Sequence, residues 1–223
     1  MSKVAVLHTS FVFVTVEPII TDLIGELIPD AEILHFVDSD VLATVVREQE
    51  ISAKSEERMV HLAQAAEAAG ADVIFSACSS LGPTLDAAQR AVGVPVVKID
   101  QAMAEEAAKT DRIGVLATVP TTLGPTSDLI AASAKASGRS PQIVQRLCPG
   151  AFDVLMGGDR EKHDDMVAKQ AAELAKEVDL IVLAQASMRR LVDRLESETG
   201  LRVLSSPRSG VEYLARSVRE VGA

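Results

Sequence analysis

Gly70-Ala71-Asp72-Val73-Ile74-Phe75-Ser76-Ala77-Cys78-Ser79-Ser80 is the stretch that decides the fold. Asp72 opens an apolar run that closes in small polar residues. A short run of β-branched and aromatic side chains after a glycine predicts a strand buried on both faces. A helix precedes it over residues 55 to 69. Its stripe is Met59, Leu62, Ala63 and Ala66, at three- and four-residue spacing, and Gly70 is its stop. Another helix is expected from about Pro83, then a strand over Val94 to Ile99. Strands alternating with helices call for a parallel sheet covered on both faces.

The same order returns later in the chain. Glu177-Val178-Asp179-Leu180-Ile181-Val182 resembles Gly70 to Phe75, and the two aspartates (72 and 179) stand 107 positions apart. Gly93 to Val97 and Gly200 to Leu204 repeat at that same offset. Opening strands are expected at Val4 to Leu7 and at Arg112 to Ala117, with Val4 and Ile113 at 109 positions. Further strands are expected at Ala31 to Val37 and Ile143 to Leu147. Helices are expected from Glu17-Pro18 to Pro29, over Gly124 to Ser137, and over 159 to 177. A closing helix turns Val211, Leu214, Ala215 and Val218 inward.

The expected architecture is therefore α/β: two pseudosymmetric lobes, each a mainly parallel sheet flanked by helices, with an active-site cleft between them. The lobes are expected at 1–105 and 106–223, the closing helix being free to pack back on the first. Residues 100 to 111 look helical and hold no flexible Gly/Ser linker.

Composition narrows the function. A net charge of -10 without any basic run argues against nucleic acid. The apolar segment after Met1-Ser2-Lys3 is too short for a signal peptide or a span, so no membrane partner and a cytoplasmic location are expected. Two cysteines and four scattered histidines give neither a disulfide framework nor metal-ligand spacing. No Gly-rich dinucleotide fingerprint or phosphate loop occurs, so no nucleotide cofactor is expected.

Ligand sites of parallel sheets form at the carboxyl ends of the strands. Polar residues collect there: His8-Thr9-Ser10, Cys78-Ser79-Ser80, Thr118 to Thr122, Gln185-Ala186-Ser187 and Ser205-Ser206. Cys78 is the leading chemical group. Backbone donors and the following helix are expected to stabilise its thiolate, lowering a pKa that would otherwise be ~8.5. Such a thiolate can act as base, proton donor once protonated, or nucleophile. Ser10, Ser79, Ser80 and Ser187 offer donors to a carboxylate. Thr118, Thr121 and Thr122 do so from the second lobe, or cap helices instead. Gln185 can hold a substrate amide, hydroxyl or carboxylate without taking a proton. His8 reads either as a hydrogen-bonded structural residue or as a group bordering the pocket. Lys98 and Asp100 share a face, to pair with one another or to border the pocket. Arg208 answers a second substrate charge or is solvated. Cys148 reads as an apolar strand end, and Met156 to Asp159 as a mobile segment.

Ser76-Ala77-Cys78-Ser79-Ser80, together with Leu183-Ala184-Gln185-Ala186-Ser187-Met188, resembles the aspartate/glutamate/hydantoin racemase superfamily, which includes maleate isomerases and arylmalonate decarboxylases. Val6 to Ser10 and Ile99 to Met103 fit the same family. The resemblance implies two pseudosymmetric lobes, a homo-oligomer, a small carboxylate substrate, and one cysteine from each lobe acting on opposite faces of a carbon without cofactor. Cys78 matches the first cysteine. The second position holds Gln185, or Ala186 in the alternative alignment, and neither is a base. The resulting expectation is a cofactor-independent racemase or isomerase acting through Cys78. The alternatives are a one-cysteine decarboxylase or other lyase, and a non-catalytic small-acid binder. A cysteine hydrolase finds no Cys-His-Asp arrangement in the spacing.

Overall fold

The computed structural model describes residues 2–222, apart from the side chain of Val16. The chain divides into two compact units: Met1–Gln101 with Pro207–Ala223, and Ala102–Ser206.

The sheet of the first unit contains β1 (Lys3–His8), β2 (Glu32–Val37), β3 (Val73–Ser76) and β4 (Val96–Lys98), in the order β2-β1-β3-β4. The second unit repeats this with β5 (Arg112–Ala117), β6 (Gln142–Leu147), β7 (Leu180–Leu183) and β8 (Arg202–Ser205), in the order β6-β5-β7-β8. All six pairings are parallel. Even the register repeats: Ile74 faces Val96 and Leu180 faces Arg202, 22 positions apart in both. Each half of the chain thus supplies one lobe of the two-lobed α/β plan.

Helices cover the sheets. In the first unit they are α1 (Ile19–Leu27), α2 (Val41–Glu48), α3 (Ala53–Ala68) and α4 (Leu85–Ala91). α5 (Gln101–Ala107), α6 (Pro120–Ala136), α7 (Ala151–Met156), α8 (Arg160–Leu174) and α9 (Val192–Thr199) follow, and α10 (Ser206–Val221) closes the chain. α3 begins at Ser52, whose hydroxyl accepts from the Ser55 N–H. Its apolar stripe falls as the spacing predicts: Met59, Ala63 and Ala66 are buried and Leu62 packs beside them. This stripe joins Ala5, Leu7, Ile74, Leu81 and Leu85 in one core. Strand alternation divides the second unit likewise. Leu116, Ile181 and Leu183 meet Val167, Ala171 and Leu174 of α8, while Ile113, Val115, Leu180 and Val182 form the opposite core with Met103 and Ile130. Each fully buried aliphatic side chain contributes roughly 1.5–3 kcal/mol.

Two glycines allow close approaches that no other residue would. A Cβ on Gly114 would stand 2.6 Å from Leu174 Cδ2, so its absence lets α8 settle on β5. A Cβ on Gly210 would stand 2.2 Å from the Ile99 carbonyl oxygen, so α10 reaches the end of β4 only with glycine there.

Three short elements were not among those expected from the sequence. Val12–Val16 forms a π-helical turn with Phe11 55% and Val12 42% exposed. A tighter 3-10 turn, Ser79–Thr84, stands between Cys78 and α4. Residues 151 to 156, ahead of the Gly157-Gly158 pair, form α7.

Candidate active site

Cys78 follows β3 in extended conformation and is 8% exposed. Its sulfur shares the core with Leu81 and Leu85, but it is not surrounded by hydrocarbon alone. The Thr9 hydroxyl and the N–H groups of Ser80 and Leu81 donate to it. These donors lower the thiol pKa, while burial and the nearby Asp100 carboxylate raise it. Burial is the largest effect and the net shift is upward. The expectation of a lowered pKa is therefore overturned. The following turn is a six-residue 3-10 segment rather than an α-helix, and desolvation outweighs its donors.

Asp100, just past β4, is 2% exposed. The Ser79 hydroxyl donates to its carboxylate, yet burial pushes its pKa up overall. Lys98 and Asp100 do not pair. The Lys98 ammonium bonds Asp86 on α4 at 2.7 Å and acts on Asp100 only through space.

His8 is 1% exposed, and its Nε2 lies 3.0 Å from His35 Nδ1. Burial first and His35 second push its pKa down to about 4, so the ring is neutral near pH 7. Its Nδ1 is buried without a protein partner. The contact with His35 ties the end of β1 to β2. Ser10 Oγ accepts from the Val12 N–H at 3.2 Å and so shapes the loop after β1.

In the second unit, Gln185 turns its carboxamide oxygen onto its own neighbours. Oε1 accepts from the Thr118 N–H at 2.6 Å, the Thr118 hydroxyl at 3.1 Å and the Val119 N–H at 3.2 Å. Through this oxygen the side chain fastens the end of β5 to the end of β7. Thr122 is buried and its hydroxyl donates to the Val119 carbonyl at 2.9 Å, within the first turn of α6. Thr121 and Ser187 are half-buried nearby in sequence. Arg208 binds both Glu26 oxygens, at 2.8 and 2.9 Å. Cys148 is 1% exposed, and burial pushes its thiol up to about 12, which makes it inert.

The two units place like residues alike. Thr9 follows β1 and donates to Cys78; Thr118 follows β5 and donates to Gln185. Among the described residues, no group of three or more His, Cys, Asp or Glu side chains is arranged to hold a metal ion. No helix among them is long and apolar enough to cross a membrane.

Residues 15–214 match the sequence model of the Asp/Glu/Hydantoin racemase family. The chain belongs to that family. Among solved structures it resembles a glutamate racemase from Bacillus anthracis, with 20% identity and a TM-score of 0.76, over 99% of this chain and 83% of that one. A putative Asp/Glu racemase from Yersinia pestis matches at 16% identity and TM-score 0.75, over the whole of both chains. An allantoin racemase from Klebsiella pneumoniae matches at 19% identity and TM-score 0.63, over 100% of this chain and 89% of that one. At these identities the likenesses concern the fold. No curated protein matches the sequence.

For a member of this racemase family, the structure gathers Thr9, Cys78, Ser79, Ser80 and Asp100 in the first unit. Thr9 stood among the polar residues expected at the strand ends but was assigned no role of its own, although Thr9 and Thr118 recur at the 109-position offset of the opening strands. His35, the partner of His8, gave no signal. It lies mid-strand, 27 residues from the histidine it meets.

Proposed function

We propose that this chain is a cofactor-independent enzyme that moves a proton at the carbon beside the carboxylate of a small acid, with Cys78 carrying that proton. Membership of the racemase family supports racemase- or isomerase-type chemistry in general. The observation that carries the reading is the Cys78 sulfur at the carboxyl end of β3, facing three donors.

With its pKa raised, the resting group is the thiol. A thiol can hand its proton to a carbanion or enediolate carbon, leaving a thiolate. The Thr9 hydroxyl and the Ser80 and Leu81 N–H groups stabilise that thiolate, so they act most strongly when the proton is in flight. In the opposite direction the thiolate takes the proton from carbon. Ser10, Thr121 and Ser187 belong to the proposal as donors to the substrate carboxylate. So do action in the cytoplasm and as a homo-oligomer.

A second reading is one-sided chemistry, as in a decarboxylase. Two observations favour it: the resting thiol, and the carboxamide of Gln185 at the position matching Cys78. In such a reaction the C–C bond electrons remain on the α-carbon as carbon dioxide leaves. Cys78 then donates its proton to that carbon and regains one from solvent.

The test is incubation in deuterated water with malonates, maleate, amino acids and hydroxy acids, followed by NMR for exchange, inversion and carbon dioxide. Inversion with exchange supports the racemase. Carbon dioxide release with deuterium on one face supports the lyase. Tight binding of an acid without exchange or turnover, unaltered in Cys78→Ala, would leave a binding protein instead.

A further inference from the structure

β3 and β4 run in register, with Ile74 opposite Val96 and Ser76 opposite Lys98. Two residues beyond each strand end, the same register brings Cys78 and Asp100 side by side. Both are buried, and the Ser79 hydroxyl between them in sequence donates to the Asp100 carboxylate. The carboxylate in turn acts electrostatically on the sulfur.

An ionisable carboxyl is a costly choice for this place. Burying one is unfavourable, and a neutral acceptor such as an Asn oxygen would satisfy Ser79 equally well. The second half of the sequence is informative. Gln185 occupies the position of Cys78, and 22 positions on, at the register of β7 and β8, stands Pro207 rather than an acid. Thiol and carboxyl are missing together, which links the carboxyl to the thiol and not to the fold.

Resting on the reading of Cys78 given above, we infer that Asp100 is a positioning residue whose carboxylate holds the proton on the Cys78 sulfur and so presents it to substrate as a donor. Ser79 fixes the carboxylate and Thr9 fixes the sulfur. The other charged and titratable groups nearby are occupied. Lys98 bonds Asp86, His8 pairs with His35, and Arg208 at the start of α10 bonds Glu26. Tyr213 on α10 lies under the Arg216 guanidinium. α3 meets the core around Cys78 with Met59 and Ala63, which carry no charge.

The test is the pH profile of Cys78 alkylation by iodoacetamide, followed by mass spectrometry in the unaltered protein, Asp100→Asn and Asp100→Glu. Alkylation tracks the thiolate fraction. Removing the charge in Asp100→Asn should move the profile about one pH unit or more to lower pH, which is about tenfold faster alkylation on the rising limb. Asp100→Glu, which keeps the charge, should stay near the native profile. An Asn variant that is folded by circular dichroism and keeps the native profile overturns the inference. If that variant does not fold, Asp100→Ser takes its place: the same shift to lower pH is expected, and a folded Ser variant with the native profile equally overturns the inference. Alkylation requires no turnover, so the outcome is separate from that of the proposed reaction. That reaction fails instead if Cys78→Ala keeps full activity.

Discussion

Replacing Gln185 by methionine tests how the second unit is fastened. The Gln185 oxygen satisfies three donors, at 2.6, 3.1 and 3.2 Å. Methionine fills a similar volume and offers no comparable acceptor. A buried donor left without a partner costs about 1–3 kcal/mol. The Thr118 hydroxyl can rotate to another acceptor, and water can reach part of a half-buried side chain. The expected net loss is therefore about 2–3 kcal/mol. For a chain of this size that lowers Tm by roughly 4–12 °C. Gln185→Glu keeps an acceptor oxygen and adds charge-assisted hydrogen bonds, so it should stay within about 1 kcal/mol of the native protein. Urea unfolding followed by circular dichroism gives both values. Native stability in the methionine variant, or equal losses in both variants, would refute the clamp.

Gly210→Ala should destabilise by about 1–3 kcal/mol or more, because the new Cβ meets the Ile99 carbonyl oxygen, a backbone atom that cannot swing away. Gly25→Ala in α1 meets nothing within 4 Å and should stabilise by up to about 1 kcal/mol; urea midpoints check the pair. His8 has a folded pKa of about 4, below its unfolded value, so the unfolded chain takes up the proton first as pH falls. Its contribution is complete above the unfolded pKa of about 6.5 and is lost as pH drops through about 4. His8→Gln should flatten that acid limb in stability measured against pH. Cys148 should resist iodoacetamide in the native protein at neutral pH and react once urea unfolds the chain, as peptide mass mapping would show.

Much of the fold was legible because buried parallel strands announce themselves. Val73 to Ser76 and Leu180 to Leu183 are apolar on both faces, and the 107-position offset gave the second half from the first. α2 was not read, since Val41, Val45 and Val46 are β-branched and score poorly for helix, and Val41, Leu42 and Val45 make a short apolar stripe. Of the site, the position of Cys78 was legible, because strand ends in such sheets carry chemistry. Its protonation was not. A pKa depends on how much water and which charges surround the sulfur, and those come from Asp100, Leu81 and Thr9, whose packing the local sequence does not encode. The same holds for Lys98, Gln185 and Arg208. Each found its partner across the chain: Asp86, Thr118 and Glu26.

Deuterium incorporation measures the account most directly. With an acid from the panel as substrate, the unaltered enzyme in deuterated water should place solvent deuterium on the carbon beside the carboxylate, and Cys78→Ala, still folded, should place none above background. Incorporation by Cys78→Ala at the native rate would contradict the account, because the proton would then be moving without the sulfur.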